Sequence, residues 1–250
     1  MARIHAKDAV LLVDEFDFSD MIMSTDLNVD NSVGEVTAFA DTDATFVEGR
    51  TSWTMDVNGL WSTSSPNYDG EMFTDLTAAD RLLSLYPGGA TVGNRGYMGR
   101  ANISTSPRTS DLGSAIGVGV TWRGDKALAR SHLSAVSSLS GNGTTNGTVI
   151  QIGATSAAQQ MVSFLHVTAS GGDGSQRLNI TIQSDSSSGM SSPTTRITHT
   201  EVAGSATSEI KTDAGAVTDD YWRAVMVVTS SGGSPTFTVR LGLGITLLEA

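Results

Sequence analysis

Cysteine is absent from the 250 residues of this chain, and lysine occurs only three times. Without cysteine, the protein has no disulfides, thiolate metal sites or cysteine nucleophiles. The 26 acidic residues outnumber the 15 basic ones, for a net charge of −11. Proteins that bind nucleic-acid phosphates need a basic surface, so this charge balance argues against that class.

Long apolar runs are also missing. No run approaches the roughly 20 residues that a membrane-spanning helix needs. The apolar run at residues 9–13 is too short for the hydrophobic region of a signal peptide. We therefore expect no membrane partner and a protein that is made in a cytoplasm.

Proline (5 residues) and charged residues (16%) are scarce, whereas glycine (27), serine (32) and threonine (30) are abundant. Soluble proteins usually carry about 25% charged residues. Small hydroxyl residues with many glycines are typical of a β-rich protein with many turns, and the composition excludes a coiled coil. The length allows one large domain or two small ones.

Four segments of the first half alternate apolar and polar residues with the period of two that indicates half-buried strands: 21–30, 51–62, 97–105 and 115–123. Residues 68–85 break this alternation. Tyr68, Met72, Phe73, Leu76 and Ala79 recur at helical spacing and predict one amphipathic helix, which residues 82–86 leave before Pro87. The first half is therefore predicted to be mainly β with one helix.

Short apolar runs separated by Gly/Ser turns predict about eight strands in the second half, as in a jelly-roll-type β-sandwich. Residues 131–148 are rich in Ser, Gly, Asn and Thr, which is the composition of a linker. We therefore predict a first domain at 1–130, a linker at 131–148 and a second domain at 149–250.

Residue patterns that would indicate catalysis or metal binding are weak. The four histidines (His5, His132, His166, His199) are scattered, without metal-ligand spacing. Residues 208–211 match S-x-x-K, but the other motifs of that enzyme class are missing. The acidic residues at 14–20 lack the pattern of a calcium loop and are interpreted as a solvated turn. We predict that the protein is not an enzyme and has no cofactor.

Five features within residues 5–130 occur in an order that resembles siphophage tail tube (major tail) proteins. They are residues 9–14 with 18–20, residues 39–49, residues 53–61, residues 68–69 and residues 93–100. Residues 182–185, 192–196 and 218–223 resemble the C-terminal β-sandwich appended to some of these proteins.

The resemblance implies a tail-tube-like β-barrel or sandwich and a structural role in the virion of a bacteriophage, with assembly in the host cytoplasm. Copies would form homo-hexameric rings that stack into a tube and contact the tape measure, tail terminator and distal tail proteins. DNA would pass through the tube during genome ejection without specific binding.

Two sets of residues are candidates for these roles. Residues 39–50 are predicted to be a long loop whose apolar side chains contact the adjacent ring: Phe39, Phe46 and Val47. The polar faces of two strands are predicted to line the channel with Asp26, Asn28, Asp30, Asp56 and Asn58. The alternative for these acids is the outer surface in contact with solvent.

Two other functions stay open at this stage. The chain could be a capsid decoration protein or a surface glycan-binding module of a phage particle, acting through its second domain. A glycan hydrolase is a remote alternative, since it needs two carboxylates facing each other across a cleft.

Overall fold

The computed structural model describes residues 8–38, 42–62, 68–75, 80–111 and 114–248. Within these residues the chain is mainly β with one α-helix, α1 (Tyr68–Asp75), which confirms the predicted fold class. The strands in chain order are β1 (Val10–Val13), β2 (Phe16–Asp17), β3 (Ile22–Glu35), β4 (Phe46–Leu60), β5 (Arg81–Tyr86), β6 (Arg95–Thr105), β7 (Arg108–Thr109), β8 (Gly117–Gly124), β9 (Ala129–Ser140), β10 (Gly143–Asn146), β11 (Ile150–Gln151), β12 (Gln159–Gly171), β13 (Arg177–Asp185), β14 (Thr194–Thr198), β15 (Thr207–Ala214), β16 (Tyr221–Thr229) and β17 (Thr236–Leu247).

The chain divides into two compact units, and each unit is built from separate stretches of sequence. Of the described residues, unit 1 takes 8–20, Arg81–Gly99 and 129–248. Unit 2 takes Met21–Asp80 and Arg100–Leu128, apart from the gaps given above. The division falls within β6.

This division differs from the predicted domains at 1–130 and 149–250. The predicted linker at 131–148 contains most of β9 and all of β10, and β9 pairs with both β6 and β17. Leu133, Ala135 and Leu139 of β9 are buried. The residues between them are mostly serines, whose small side chains fit a strand that packs closely, so the composition alone did not identify a linker.

The core of unit 1 lies between two sheets. One sheet has the order β10-β16-β13-β14, with β11 also on β16, and the other includes β15-β12-β17-β9. Alternate residues of β16 and β13 point into this core; examples are Trp222, Met226 and Ile180, each at most 1% exposed. The short apolar run predicted at residues 221–228 is therefore a strand with one buried face.

Strand β12 is buried on both faces. Met161, Leu165 and Val167 belong to the core just described, whereas Val162 and Phe164 pack with Leu82 of β5 on the opposite face. Every residue from 161 to 167 is buried. Such a strand has a continuous apolar run instead of an alternating pattern.

The strands of the described residues are not closed into a barrel, in contrast to one of the two predicted architectures. In unit 1 the pairing path ends at β15 and at β2, and both ends are open. The β-sandwich alternative is observed there. One of its sheets, however, contains β9, β6, β5 and β1, which lie outside residues 149–250. The sandwich is therefore not confined to the predicted second domain.

Unit 2 is a sheet in which β4 pairs with β3 and β8, while β8 also pairs with β7 and with the end of β6. Met55 and Val57 of β4 lie opposite Trp122 and Val120 of β8, and all four are at most 2% exposed. Gly59 lets the helix approach, because a Cβ there would lie 3.2 Å from the ring of Tyr68.

The described part of the helix is Tyr68–Asp75, and Phe73 is 68% exposed, although the helical pattern placed it on the buried face. Leu76 and Ala79 lie outside the described residues. Residues 82–86 do leave the helix, as predicted, and belong to β5, whose pairing with β1 buries them.

Candidate assembly surface

The hairpin of β3 and β4 is the longest described antiparallel pair of unit 2, with 14 and 15 residues. Near its base, Trp53, Met55 and Val57 of β4 are buried on one face. Beyond the base the burial stops on both faces. All described residues of 28–38 and 42–52, which we call the distal hairpin, are exposed.

Five apolar side chains of the distal hairpin are at least half exposed: Val29 (51%), Val33 (60%), Val36 (53%), Phe46 (60%) and Val47 (53%). Apolar side chains that are exposed singly are normal, but a concentration on one element indicates a contact surface. The distal hairpin is therefore the best candidate for binding another protein chain.

Hydrogen bonds hold the distal hairpin together without help from the unit 2 core. The Val36 amide donates to the Thr45 carbonyl over 2.8 Å, and the Thr45 amide donates to the Thr37 hydroxyl over 3.1 Å. The register shifts near Ser32, where a Cβ on Gly49 would lie 2.9 Å from the Ser32 carbonyl oxygen. Glycine at this β-bulge allows the two strands to stay paired.

The predicted loop at residues 39–50 contains the first five residues of β4. Residues 46–50 belong to β4 and pair with the end of β3, for example Phe46 with Glu35. The alternation is obscured there by the bulge, which puts an extra residue into β4. Phe46 and Val47 are exposed, as the loop interpretation required. Phe39 lies outside the described residues.

The five residues predicted to line a channel lie on one face of the hairpin. Asp26 is directly opposite Asp56, and Asn58 is paired with Ser24, to whose hydroxyl it donates over 3.2 Å. Asn28 donates to Asp30 over 2.9 Å. All five are exposed, so the predicted polar face exists; whether it faces a channel stays a prediction.

The facing acids are electrostatically unfavourable within a single chain. Like charges directly opposite each other on antiparallel strands destabilise the pair. The hydroxyl of Thr121, on the neighbouring strand β8, donates to the Asp56 carboxylate. Arg123 of β8 lies opposite Thr54 and is the nearest cation in this register. The face is therefore predominantly acidic.

Strand β3 has one unpaired edge among the described residues, since it pairs only with β4. Met23, where the register shifts at the base, is 68% exposed. An open edge presents free N–H and C=O groups to any strand of another chain. Natural edge strands often carry charges that prevent indiscriminate pairing, and Asp26 and Asp30 fit that role.

A chemically suggestive triad lies elsewhere, in unit 1. The Ser163 hydroxyl is 2.9 Å from Nε2 of His199, whose Nδ1 is 2.9 Å from the Glu209 carboxylate. Burial lowers the pKa of His199, so the ring is neutral and donates from Nδ1. Ser163 is fully buried within β12, and a substrate cannot reach its hydroxyl.

Hydrogen bonds hold the Glu209 side chain in place, which indicates a structural role. Burial of the Glu209 carboxyl raises its pKa. Hydrogen bonds from the hydroxyl and amide of Thr200, and then from His199 and Lys211, stabilise the ionised form. The hydrogen bonds outweigh burial, and the pKa of Glu209 is lowered to about 2. Ser208 and Lys211, the ends of the S-x-x-K match, do not contact each other in the described network. Ser208 donates to Asp14 over 3.2 Å, and Lys211 is 3.2 Å from Glu209.

A second buried histidine joins β12 to the β1–β2 turn. His166 Nδ1 donates to the Asp14 carbonyl over 2.5 Å, so Nε2 accepts from the Ser84 hydroxyl over 2.8 Å. Burial lowers the pKa of His166. The Asp14 carboxylate pairs with Arg81 at 2.8 Å and is itself buried, so this residue is not part of the solvated turn predicted for 14–20.

Metal and membrane sites were searched in the part of the chain that the structure describes. Those residues contain no group of three or more His, Asp or Glu side chains that could hold a metal ion. None of the helices found there has the length and apolar character needed to cross a membrane.

No protein-family model matches the chain, and neither does any curated protein. Several solved structures are distantly similar, among them the following three. A chain from the virion of a native gene transfer agent particle is 11% identical, with a TM-score of 0.41, over 51% of this chain and 98% of that one. The Dit protein of SPP1, described as a paradigm of the hub adsorption apparatus of phages that infect Gram-positive bacteria, is 9% identical, with a TM-score of 0.38, over 96% and 99%.

The VP2 subviral particle of infectious bursal disease virus is 13% identical, with a TM-score of 0.33, over 96% of this chain and 56% of that chain. These identities and TM-scores are low. They indicate no function for this chain, whose own residues have to supply the observations for one.

Proposed function

We propose that this chain is a structural virion protein whose copies assemble into stacked hexameric rings that form the tail tube of a siphophage. The observation that carries the proposal is the distal hairpin, where five large apolar side chains are exposed on a hydrogen-bonded strand pair. Apolar surface in water is unfavourable, so contact with another chain would stabilise it. A neighbouring copy is the occupant that we propose, with Phe46 and Val47 at the contact between rings.

The open edge of β3 supports lateral association. Antiparallel strands with an unpaired edge can continue a sheet into the next subunit, and closing a ring in this way removes exposed edges. Fourteen residues of β3 are available for such pairing. The apolar distal hairpin would then hold successive rings together, while the edge would hold subunits within one ring.

The acidic face of the hairpin supports a conduit for DNA. In a ring of six copies, Asp26 and Asp56 would each recur six times and form a negative wall along the stacked rings. Such a wall repels DNA phosphates over about 10 Å at physiological salt. Genome passage without specific binding follows from this repulsion. The tube ends would contact the tape measure, tail terminator and distal tail proteins.

Electron microscopy of the purified chain tests the proposal. We expect uniform tubes or stacked rings from the native sequence, and folded subunits without tubes from Phe46→Asp. Phe73→Asp is the matched control, because Phe73 is 68% exposed in unit 2 but lies on α1 outside the hairpin. Normal tubes from Phe46→Asp would contradict the role of the hairpin. Monomers or compact trimers of the native chain would favour the alternative, a decoration protein.

The channel is tested separately by Asp26→Lys combined with Asp56→Lys. Tubes of this variant should form and should retain DNA that native tubes release. Asn28→Lys combined with Asn58→Lys also adds positive charge to the same face, but leaves the facing acids in place, and should retain DNA more weakly. A tube map with both side chains on the outer wall, or equal DNA retention by native and Asp→Lys tubes, would contradict the channel assignment.

A further inference from the structure

Four polar side chains converge on one face of unit 1, where β6 pairs with β9. The register places Arg95 opposite His132 and Tyr97 opposite Arg130. Residues directly opposite each other in an antiparallel pair share a face, with Cβ atoms about 5 Å apart. The two arginines are therefore diagonal neighbours, with a histidine and a tyrosine beside them.

These residues line two adjoining concave spaces. One, of about 540 Å³, is open to solvent and is lined by Arg95, Tyr97, Arg130 and the turn that includes Pro87, Gly88, Gly93 and Asn94. The other, of about 250 Å³, lies between the same two arginines, His132, Ile152 and Ile245. Cavities of this size hold small ligands.

The wall formed by the turn is held in place by hydrogen bonds. The Asn94 side-chain amide donates to the carbonyls of Gly88 and Gly89, at 2.6 and 3.1 Å. The Gly93 amide donates to the carbonyl of Leu133, on β9, over 2.8 Å. Gly93 has a φ of +91°, a conformation that favours glycine. The cavity is thus preorganised before any ligand arrives.

Neither Arg95 nor Arg130 has a hydrogen-bond or ion-pair partner for its side chain among the described residues. Five other arginines are paired with a carboxylate: Arg81, Arg100, Arg108, Arg177 and Arg196. In a chain with a net charge of −11, two adjacent cations without a carboxylate are unexpected. Burial, and then the charges of Arg95 and Arg130, lower the pKa of His132. Both arginines are exposed, so a dissolved anion can reach them from solvent.

We propose that this cavity binds the oxyanion group of a small ligand, with Arg95 and Arg130 holding a carboxylate, phosphate or sulfate between them. Guanidinium groups match planar and tetrahedral oxyanions with paired N–H donors, which a lysine cannot do. His132 contributes a further donor, and Tyr97 and Ile245 offer apolar surface to the remainder of the ligand. The proposal is independent of tube assembly.

Isothermal titration calorimetry on the full chain at 0.15 M salt tests this site with inorganic phosphate, sulfate, glucuronate and glucose 1-phosphate as probes. We expect saturable binding of at least one probe. Arg95→Gln and Arg130→Gln should each weaken binding about tenfold or more, and Arg123→Gln should leave it unchanged. Arg123 is an exposed arginine of unit 2 and gives the same change in net charge. Circular dichroism confirms that each variant is folded.

The order of affinities among the four probes identifies the class of oxyanion ligand that the site binds. Equal affinity for phosphate and glucose 1-phosphate means that the site contacts only the oxyanion group. Tighter binding of the sugar-linked probes means that Tyr97 and its neighbours also contact the sugar. Phosphate tighter than glucuronate favours a tetrahedral group over a planar carboxylate. Each of these results supports the site and narrows its ligand.

Proton uptake is an independent readout. An anion beside His132 raises its pKa, so binding near pH 7 should take up protons, measured by titration in buffers of different ionisation enthalpy. His132→Gln removes this donor, so it should weaken binding less than either arginine variant does and should abolish this proton uptake. Absence of saturable binding for all four probes, or binding that both arginine variants retain, would overturn the proposal. Loss of self-assembly in those variants with unchanged probe binding would instead assign the arginines to a subunit contact.

Discussion

Strand β12 and the distal hairpin are opposite extremes of the same molecule. From 161 to 167, β12 is buried on both faces, whereas the described residues of 28–38 and 42–52 are buried on neither. The first packs within unit 1, whereas the described residues leave the apolar side chains of the second exposed. We infer that β12 contributes to the stability of unit 1 and that the hairpin is available for contact with another chain.

The largest expected effect is the loss of unfolding free energy when a phenylalanine of β12 is truncated, compared with the same truncation in the distal hairpin. Phe164→Ala removes a ring that is 2% exposed and should lower the free energy of unfolding by about 3–5 kcal/mol. Phe46→Ala removes a ring that is 60% exposed and should change it by less than about 0.5 kcal/mol. Urea denaturation of dilute, unassembled protein measures both values. Similar losses of unfolding free energy in both variants would contradict the difference in burial between the two regions.

A smaller effect is a pH dependence of the unfolding free energy, which we expect from β12 and not from the distal hairpin. The pKa of buried His166 is lowered, so below its ordinary value of about 6.5 the unfolded chain binds more protons than the folded chain. Stability is therefore fully present above pH 6.5 and decreases as the pH falls toward the folded-state pKa, by at most about 1.4 kcal/mol per pH unit for this group.

The matched variant for this pH effect is His166→Gln, which keeps one donor for Asp14 and one acceptor for Ser84. It should have a shallower dependence of unfolding free energy on pH between 6.5 and 5 than the native chain. The distal hairpin contains no histidine in its described part, so hairpin substitutions should leave the slope as it is. An unchanged slope in His166→Gln would show that this histidine is not the titrating group.

The smallest effect concerns the facing acids at the base of the hairpin. Asp26→Asn removes the repulsion with Asp56 and should stabilise unit 2 by about 0.2–1 kcal/mol at low salt. Added salt should reduce the gain, because the pair is exposed. A double-mutant cycle with Asp56→Asn measures the coupling. A coupling energy of zero at low salt would mean that Thr121 and solvent already screen the pair.

Local patterns in the sequence identified much of the fold. The alternation of residues 51–62 predicted the buried face of β4, and that of residues 115–123 predicted β8 with only small errors at the ends. Asp26 and Asp56 were predicted to share an exposed face because alternate residues of a strand point to the same side. Period and polarity are local properties, so a single stretch of sequence contains them.

Only the tertiary structure decided which strands belong together. Leu133 and Leu139 sit among serines and glycine in a stretch with linker composition, and pairing with distant β6 and β17 makes it β9. Arg95 and Arg130 become neighbours through that same pairing, although 34 residues separate them in the sequence. Strand pairing joins residues far apart in the chain, and its energy depends on partners that no local window contains. For this reason the sequence alone determined strands such as β4 and β8 and their faces, whereas the structure decided β9, the exposure of Met23 and Val29 on β3, the two units and the arginine-lined cavity.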